Sequence, residues 1–410
     1  MRIISPSLSP NTESEDVIEA VRVLLHPESW QQGSAIEKVE EWFRTYLDTP
    51  TVVSFDSGRS ALLAILQAFG VRQGDEVLLQ AFTCVAVPNS VRWAGATPVY
   101  VDIDDSFNIG PNDLAKKITK SAKAVIVQHT FGVPGQMDAI MALAKKYELI
   151  VIEDCAHSLG AMCYGKKVGT LGDAAFFSFG RDKVISSVWG GMATVSAQCK
   201  VKSAQKKLQA IQQKLLYPSH YWIFQQLLHP VAFAAILPTY NIVVGKVILE
   251  TLKRMRLLSV PVYEEEKRGE QPTLLPRRYP NALAKLLVKQ LAKLERYNDQ
   301  RRCIARYYHE AFASRKDLRL PKWDKEAVYL RFPILRNDPA RIKAEAKRDG
   351  ILLGNWYHNV IDPGGVDVGA VGYKLGSCLR AEEVARHVIN LPSLISKESA
   401  NKVISALYAI

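Results

Sequence analysis

The sequence predicts an α/β protein: a large domain built on a mostly parallel mixed sheet flanked by helices, followed by a smaller C-terminal α/β domain. Three observations support this. From Thr51 to Val195 short β-branched runs alternate with helical patterns, the rhythm of a parallel sheet with helical crossovers. A second, shorter alternation starts near Pro272. The 410 residues, 48% of them hydrophobic, exceed what one ordinary domain needs.

Taken in order, the predicted strands are Thr51–Phe55, Glu76–Leu79, Pro98–Asp102, Ala124–Gln128, Ile150–Glu153, Ala174–Phe179 and Met192–Val195. Between them the helical periodicity predicts Ser60–Phe69, Val87–Ala94, Pro111–Ile118 and Met137–Tyr147. Downstream, Asn281–Ala313 reads as one long helical stretch, with Leu286, Leu287, Leu291, Leu294 and Tyr297 near helical spacing. A strand (Ala327–Pro333), a helix (Pro339–Asp349), an irregular Gly- and aromatic-rich stretch and a closing helix (Lys397–Leu407) follow. The domain division expected is 1–260 for the large domain and 261–410 for the small one. Disorder is expected only in the first dozen residues and around Glu264–Gln271.

Inside the large domain lies an apolar insertion, at about 215–260. Leu215 to Gly245 holds no Lys, Arg, Asp or Glu, and Pro230 and Pro238 should break it into pieces too short for a bilayer of roughly 30 Å. Two readings follow: a buried helical insertion or subunit interface, or a peripheral membrane contact helped by the basic cluster Lys253-Arg254-Met255-Arg256. The net charge of +12 favours phosphorylated ligands; no zinc-finger spacing or RNA-binding signature accompanies it, so no nucleic-acid partner is expected. The six cysteines show no CxxC pair and the N-terminus no apolar leader, the expectation being a cytoplasmic protein, with membrane association as the alternative.

In a parallel sheet the ligand lies beyond the carboxyl ends of the strands, and three strand ends carry chemistry. Ser57-Gly58-Arg59-Ser60 turns a strand into a helix, where unsatisfied N–H groups can take a phosphate. It is not GxGxxG, which counts against a dinucleotide fold. Asp154 ends an apolar strand, followed by His157; a carboxylate there could bind metal, accept from a ribose or pair with a protonated ring nitrogen. A metal site would need further ligands, and none stands at matching spacing. Lys183 lies four residues beyond the aromatic strand and precedes the Gly190-Gly191 pair; a lysine in a partly desolvated pocket is a suitable nucleophile for an aldehyde.

Together the ordered runs SGRSAL, GDEVLLQAFT, AGATPVYVDID, VIEDCAHSLGA and FFSFGRDK followed by GG closely resemble the DegT/DnrJ/StrS-type family of pyridoxal-phosphate (PLP)-dependent sugar aminotransferases. The likeness runs from about Ile4 to Ser196, resumes at Asn281–Tyr308 and returns at Ile389–Pro392; the insertion lies outside it. The resemblance implies the type I aminotransferase fold and a homodimer. It implies transfer of an amino group from an amino acid, glutamate by likeness, to a keto-sugar, nucleotide-linked, in amino-sugar, polysaccharide or secondary-metabolite biosynthesis. It places Lys183 at the family's Schiff-base lysine, Asp154 at the acid facing the pyridine nitrogen, Ser178 at a phosphate-binding serine, Gly58 and Arg59 at the backbone phosphate site, and His157 beside the cofactor. Four positions depart. Cys84 stands where an aromatic usually stacks on the ring, and Trp189 at an acidic or small position. Arg59 replaces Thr, with a guanidinium that could add a bond to phosphate. Pro276 replaces an Asn that reaches the partner subunit's phosphate. The rivals are a PLP-binding regulatory or scaffold protein and a sugar dehydratase; the dehydratases carry His at the lysine position, against which Lys183 argues.

Overall fold

The computed structural model describes residues 3–240 and 243–410. Its main sheet has seven strands: β1 (Thr51–Phe55), β2 (Glu76–Gln80), β3 (Thr97–Val101), β4 (Ala122–Gln128), β5 (Ile150–Asp154), β6 (Ala174–Ser178) and β7 (Gly191–Val195). Their order is β1-β7-β6-β5-β4-β2-β3. β7 runs antiparallel to both β1 and β6, and the other pairings are parallel. Each predicted strand is present within about two residues.

Helices cover both faces. On one side α1 (Ser14–Leu24) and α2 (Ala35–Leu47) pack, α2 through Val39, Phe43 and Leu47 at successive turns. On the other, α3 (Gly58–Ala68) is buried nearly all round, as its composition GRSALLAILQA requires. The crossovers are α4 (Ala86–Trp93), α5 (Pro111–Lys117) and α6 (Met137–Lys146), with α7 (Ser203–Lys214) behind. The result is two apolar layers, one on each face of the sheet.

The insertion forms α8 (His220–Thr239) and α9 (Val244–Arg254). The two prolines do not break α8; the helix runs through both, each costing it a backbone hydrogen bond. It buries Trp222, Ile223, Leu227, Phe233 and Ile236 against α1, α9 and the core. No described helix is long and apolar enough to cross a membrane. Glu264–Lys267, expected to be loose, is a short helix, α10, whose Glu266 is fully buried.

The predicted stretch Asn281–Ala313 is two helices, α11 (Asn281–Leu291) and α12 (Leu294–Phe312). The break is held by Lys293, which pairs with Glu13, Glu15 and Asp16 of the N-terminal segment. α11 packs in the large core beside α2, so the separate core of the small domain begins near Ile304, well past 260. That domain holds a three-stranded sheet, β8 (Leu318–Arg319), β9 (Arg331–Arg336) and β10 (Val388–Pro392). β9 starts four residues later than its apolar run suggested. Val328 and Leu330 instead donate to Gly132 and Phe131 of the large domain. This seam carries Arg331 to the edge of the cleft.

Candidate active site

A pocket of about 600 Å³ opens at the carboxyl ends of β5 and β6, and Gly58, Arg59, Cys84, Asp154, His157, Ser178 and Lys183 all line it. Seven residues spread over 126 positions of sequence therefore converge on one cleft.

At one end is a turn with the geometry of a candidate anion cradle. Ser57 caps α3, its hydroxyl accepting from the Ser60 amide at 3.3 Å, which leaves the first amides of the helix without an intrahelical acceptor. Ser178, ending β6, stands against that turn. A Cβ at Gly58 would fall 2.9 Å from the Ser178 Cβ, and one at Gly191 would fall 2.3 Å from the Ser57 carbonyl carbon. Both glycines are required by close approach.

The carboxylate lies deeper. Along β5 side chains alternate faces, separating Glu153 from Asp154. Glu153 is spent on structure: it accepts from the amides of Gly169, Leu171 and Gly172 at 2.7–2.8 Å and meets His129 at 3.2 Å. His129, Glu153 and Cys155 come close enough for a metal, but none of the three lines the pocket. Asp154 is buried, accepts one hydrogen bond, from the Ala156 amide at 2.9 Å, and has no ion-pair partner among the described residues. Burial raises its pKa, Lys183 opposing.

Lys183 follows β6 through a Gly180 turn, its amide donating to the Gly180 carbonyl at 3.1 Å. Desolvation lowers its pKa against the opposing pull of Cys84 and Asp154, so its Nζ is free base at lower pH than an exposed lysine. His157 is buried. Its Nδ1 accepts from the Phe131 amide at 3.3 Å, so Nε2 carries the proton and donates to the Tyr357 hydroxyl at 3.3 Å. Burial holds it neutral, well below the usual imidazole range.

Of the departures, Arg59 resolves differently from expectation. The Arg59 guanidinium does not serve the cradle. It forms a buried ion pair with Glu266 of α10, donates to the Pro261 carbonyl at 2.7 Å and lies 5.0 Å from the Trp189 ring centroid. Trp189 is thereby used to hold Arg59 and pack edge-on against Trp222 at 5.5 Å. Cys84 lines the pocket, its thiol pushed up by burial, and offers no ring to stack.

The sequence reading missed the rest of the wall. His229 and Phe233 of α8, with Val260, Pro261, Glu264 and Lys267, close one side, making the apolar insertion part of its own chain's site. The only sequence signal was its lack of charge. Trp356 and Tyr357 close another, from the irregular stretch before β10, where no periodicity marked them.

A lysine, a buried carboxylate and an anion cradle in one cleft match the chemistry of a known group of proteins. The profile of the DegT/DnrJ/EryC1/StrS aminotransferase family matches residues 11–214 and 249–408. The chain belongs to this family. The gap between the matched segments falls on the insertion. Among relatives, a UDP-N-acetyl-3-dehydro-alpha-D-glucosamine 3-aminotransferase of Acidithiobacillus ferrooxidans is 30% identical over 339 residues, 82% of this chain and 77% of that protein. GDP-perosamine synthase of Escherichia coli O157:H7 is 37% identical over 166 residues, covering 40% of this chain and 46% of that protein. The chain spans about half the length of several curated relatives it matches. Among solved structures, the putative sugar aminotransferase Spr1654 of Streptococcus pneumoniae superposes with TM-score 0.75 at 20% identity, covering 100% of this chain and 97% of that one. DesV of S. venezuelae gives 0.73 at 24% identity, covering 97% and 94%. The type I aminotransferase fold is thereby shown.

Proposed function

We propose that this DegT/DnrJ/EryC1/StrS member is a PLP-dependent aminotransferase that moves an amino group from an amino acid, glutamate by family likeness, to a keto-sugar carried on a nucleotide. The observation that carries the reading is the convergence of Lys183, Asp154 and the Gly58–Ser178 cradle on one pocket.

The residues present fit the cofactor. The cradle has amides and a hydroxyl for a phosphate, and no side chain at Gly58 to fill it. Asp154 is buried with no ion-pair contact among the described residues and would hold a protonated ring nitrogen. Bound there, pyridoxal phosphate supplies an aldehyde to capture amines and an electron-withdrawing ring to stabilise the carbanion left by proton loss. The remaining work falls to this chain. Lys183 Nζ, with its lowered pKa, takes and returns the proton at the reacting carbon. Ser178 and the amides of Gly58 and Arg59 fix the phosphate end; His157, neutral and tied to Tyr357, offers a fixed hydrogen-bonding edge. Glu266, by occupying the Arg59 guanidinium, keeps that charge at the insertion and away from the cradle.

Two relatives' names speak of GDP- and UDP-sugars, which supports a nucleotide-linked acceptor. Homodimer formation, also part of this proposal, rests on family membership. A peripheral membrane contact through the insertion is supported by exposed Val244 and Val247 on a helix that also exposes Lys246, Lys253 and Arg254.

The test is to load the protein with pyridoxal phosphate, add glutamate and a panel of nucleotide-linked keto-sugars, and measure 2-oxoglutarate. Amino-sugar should form with wild type and not with Lys183→Ala, which should also lose the visible absorbance of the bound cofactor. An unchanged visible spectrum in Lys183→Ala would refute the assignment.

A further inference from the structure

Arg331 is the first residue of β9, fully buried at the seam between the domains. Its Nε, Nη1 and Nη2 have no hydrogen-bond partner among the described residues. The nearest carboxylate, Asp182, stands 3.7 Å from Nη2, beyond hydrogen-bond reach. A buried guanidinium with every donor idle is costly unless something accepts from it.

A second idle donor belongs to the same place. The Asn390 carboxamide on β10 accepts from the Trp356 amide through Oδ1 at 2.8 Å. That bond sets which way the amide faces, and its Nδ2 has no partner. Gly354 lies between the two: a Cβ there would fall 3.1 Å from Arg331 Nη1 and 3.0 Å from Asn390 Cβ. Apart from the Asp182 carboxylate, which makes no hydrogen bond to Arg331, the gathering offers idle donors and suits a compact ligand with several acceptor oxygens. A carboxylate, which accepts from a guanidinium in a bidentate fork, suits it.

Its position says which carboxylate. The Arg331 Cζ is 3.5 Å from the Trp356 ring centroid, and Lys183 Nζ is 4.8 Å from the same centroid. Arg331 and Lys183 are thus no further apart than those two contacts allow. Trp356 itself lines the pocket and stacks on His157 at 5.2 Å. An amine that reacts at Lys183 and carries a carboxylate on the same carbon would bring that carboxylate to Arg331 once the indole moves aside. The group survives the reaction: the amino acid loses its amine and leaves as the 2-oxo acid, its carboxylate unchanged.

We infer that Arg331 and the Asn390 carboxamide bind the carboxylate of the amino donor, and that Trp356 covers this subsite until the donor displaces it. The inference rests on the aminotransferase reading for the identity of the donor.

Glutarate, a dicarboxylate without an amine, probes the subsite in the cofactor-free protein by calorimetry and tryptophan fluorescence. Arg331→Gln should weaken glutarate binding at least about tenfold and lower kcat/KM of the donor half-reaction roughly 100-fold. The visible absorbance of the loaded protein and the acceptor half-reaction, started from the aminated cofactor, should be unchanged. Arg331→Lys should recover part of the loss, and Trp356→Phe should remove most of the fluorescence response. Asn390→Asp keeps the acceptor for the Trp356 amide, places a carboxylate beside the guanidinium without unfolding the site, and should abolish glutarate binding. Unchanged glutarate affinity in Arg331→Gln or Asn390→Asp overturns the inference. Loss confined to the acceptor half-reaction also overturns it, the carboxylate then belonging to an acidic acceptor sugar. Arg331-dependent glutarate binding in a protein that transfers no amino group would leave the subsite standing and sink the aminotransferase reading instead.

Discussion

Replacing Glu266 with Gln removes one half of a charge pair that has almost no access to water: the Arg59 side chain keeps 11% of its exposure and Glu266 none. The perturbation is nearly isosteric, so the Tyr263 amide, 2.8 Å from Glu266 Oε2, can keep its acceptor. What is lost is the countercharge to a desolvated guanidinium. Breaking such a pair from one side costs about 3–5 kcal/mol. The lower end applies because Arg59 retains the Pro261 carbonyl at 2.7 Å and the Trp189 ring. With unfolding entropy scaled to a chain of 410 residues, about 3 kcal/mol corresponds to a fall in Tm of about 3–4 °C. The pair can be separated from its parts by a cycle of Glu266→Met, Arg59→Met and the double variant, read by urea unfolding. Each single change should be costly and the double change nearly neutral, a coupling of at least about 2 kcal/mol. Additive single effects, or Glu266→Gln within about 0.5 kcal/mol of wild type, would refute the view that this buried pair closes the insertion over the pocket.

Three further outcomes are expected. Asp154→Asn should still take up pyridoxal phosphate but lose roughly two orders of magnitude or more in turnover, because a neutral amide cannot hold the ring nitrogen protonated; wild-type turnover would contradict its role. Asp56, buried with one oxygen unpartnered, has its pKa raised by burial to about 7 from an ordinary 3.8. The native state therefore binds more protons than the unfolded chain between those values, and stability falls as pH rises through that window. Asp56→Asn should gain stability over wild type as pH goes from about 4 to about 8, through the raised pKa, and an advantage greatest at the acid end would reverse the sign. In liposome flotation with anionic lipid, the protein should float at low salt and lose binding on Val244→Glu with Val247→Glu; complete release of wild type at low salt ends the membrane proposal.

Much of the fold was legible because its signals are local. Each strand of the main sheet announces itself in about five residues of β-branched and aromatic sequence, and each helix by its own periodicity. Strand direction is not local: nothing within Gly191–Val195 says that it runs against its neighbours. The break at Lys293 was hidden for a related reason, since the acids that draw this lysine in lie on the N-terminal segment. Pro230 and Pro238 misled in the opposite sense, because burial of α8 against α1 and α9 outweighs the backbone hydrogen bonds they remove.

The sequence by itself singled out Gly58, Ser178, Asp154 and Lys183 as candidates, since each stands in a short motif at a strand end and strand ends of a parallel sheet meet at one edge. Only the tertiary structure decided where the other charges go. Arg59 finds its partner 207 residues away, and Arg331, 3.7 Å from Asp182 between two domains, is left without a hydrogen-bond acceptor among the described residues. A residue's neighbours in sequence set its backbone; whether its charge is satisfied, idle or aimed at a ligand depends on which distant surfaces desolvate it.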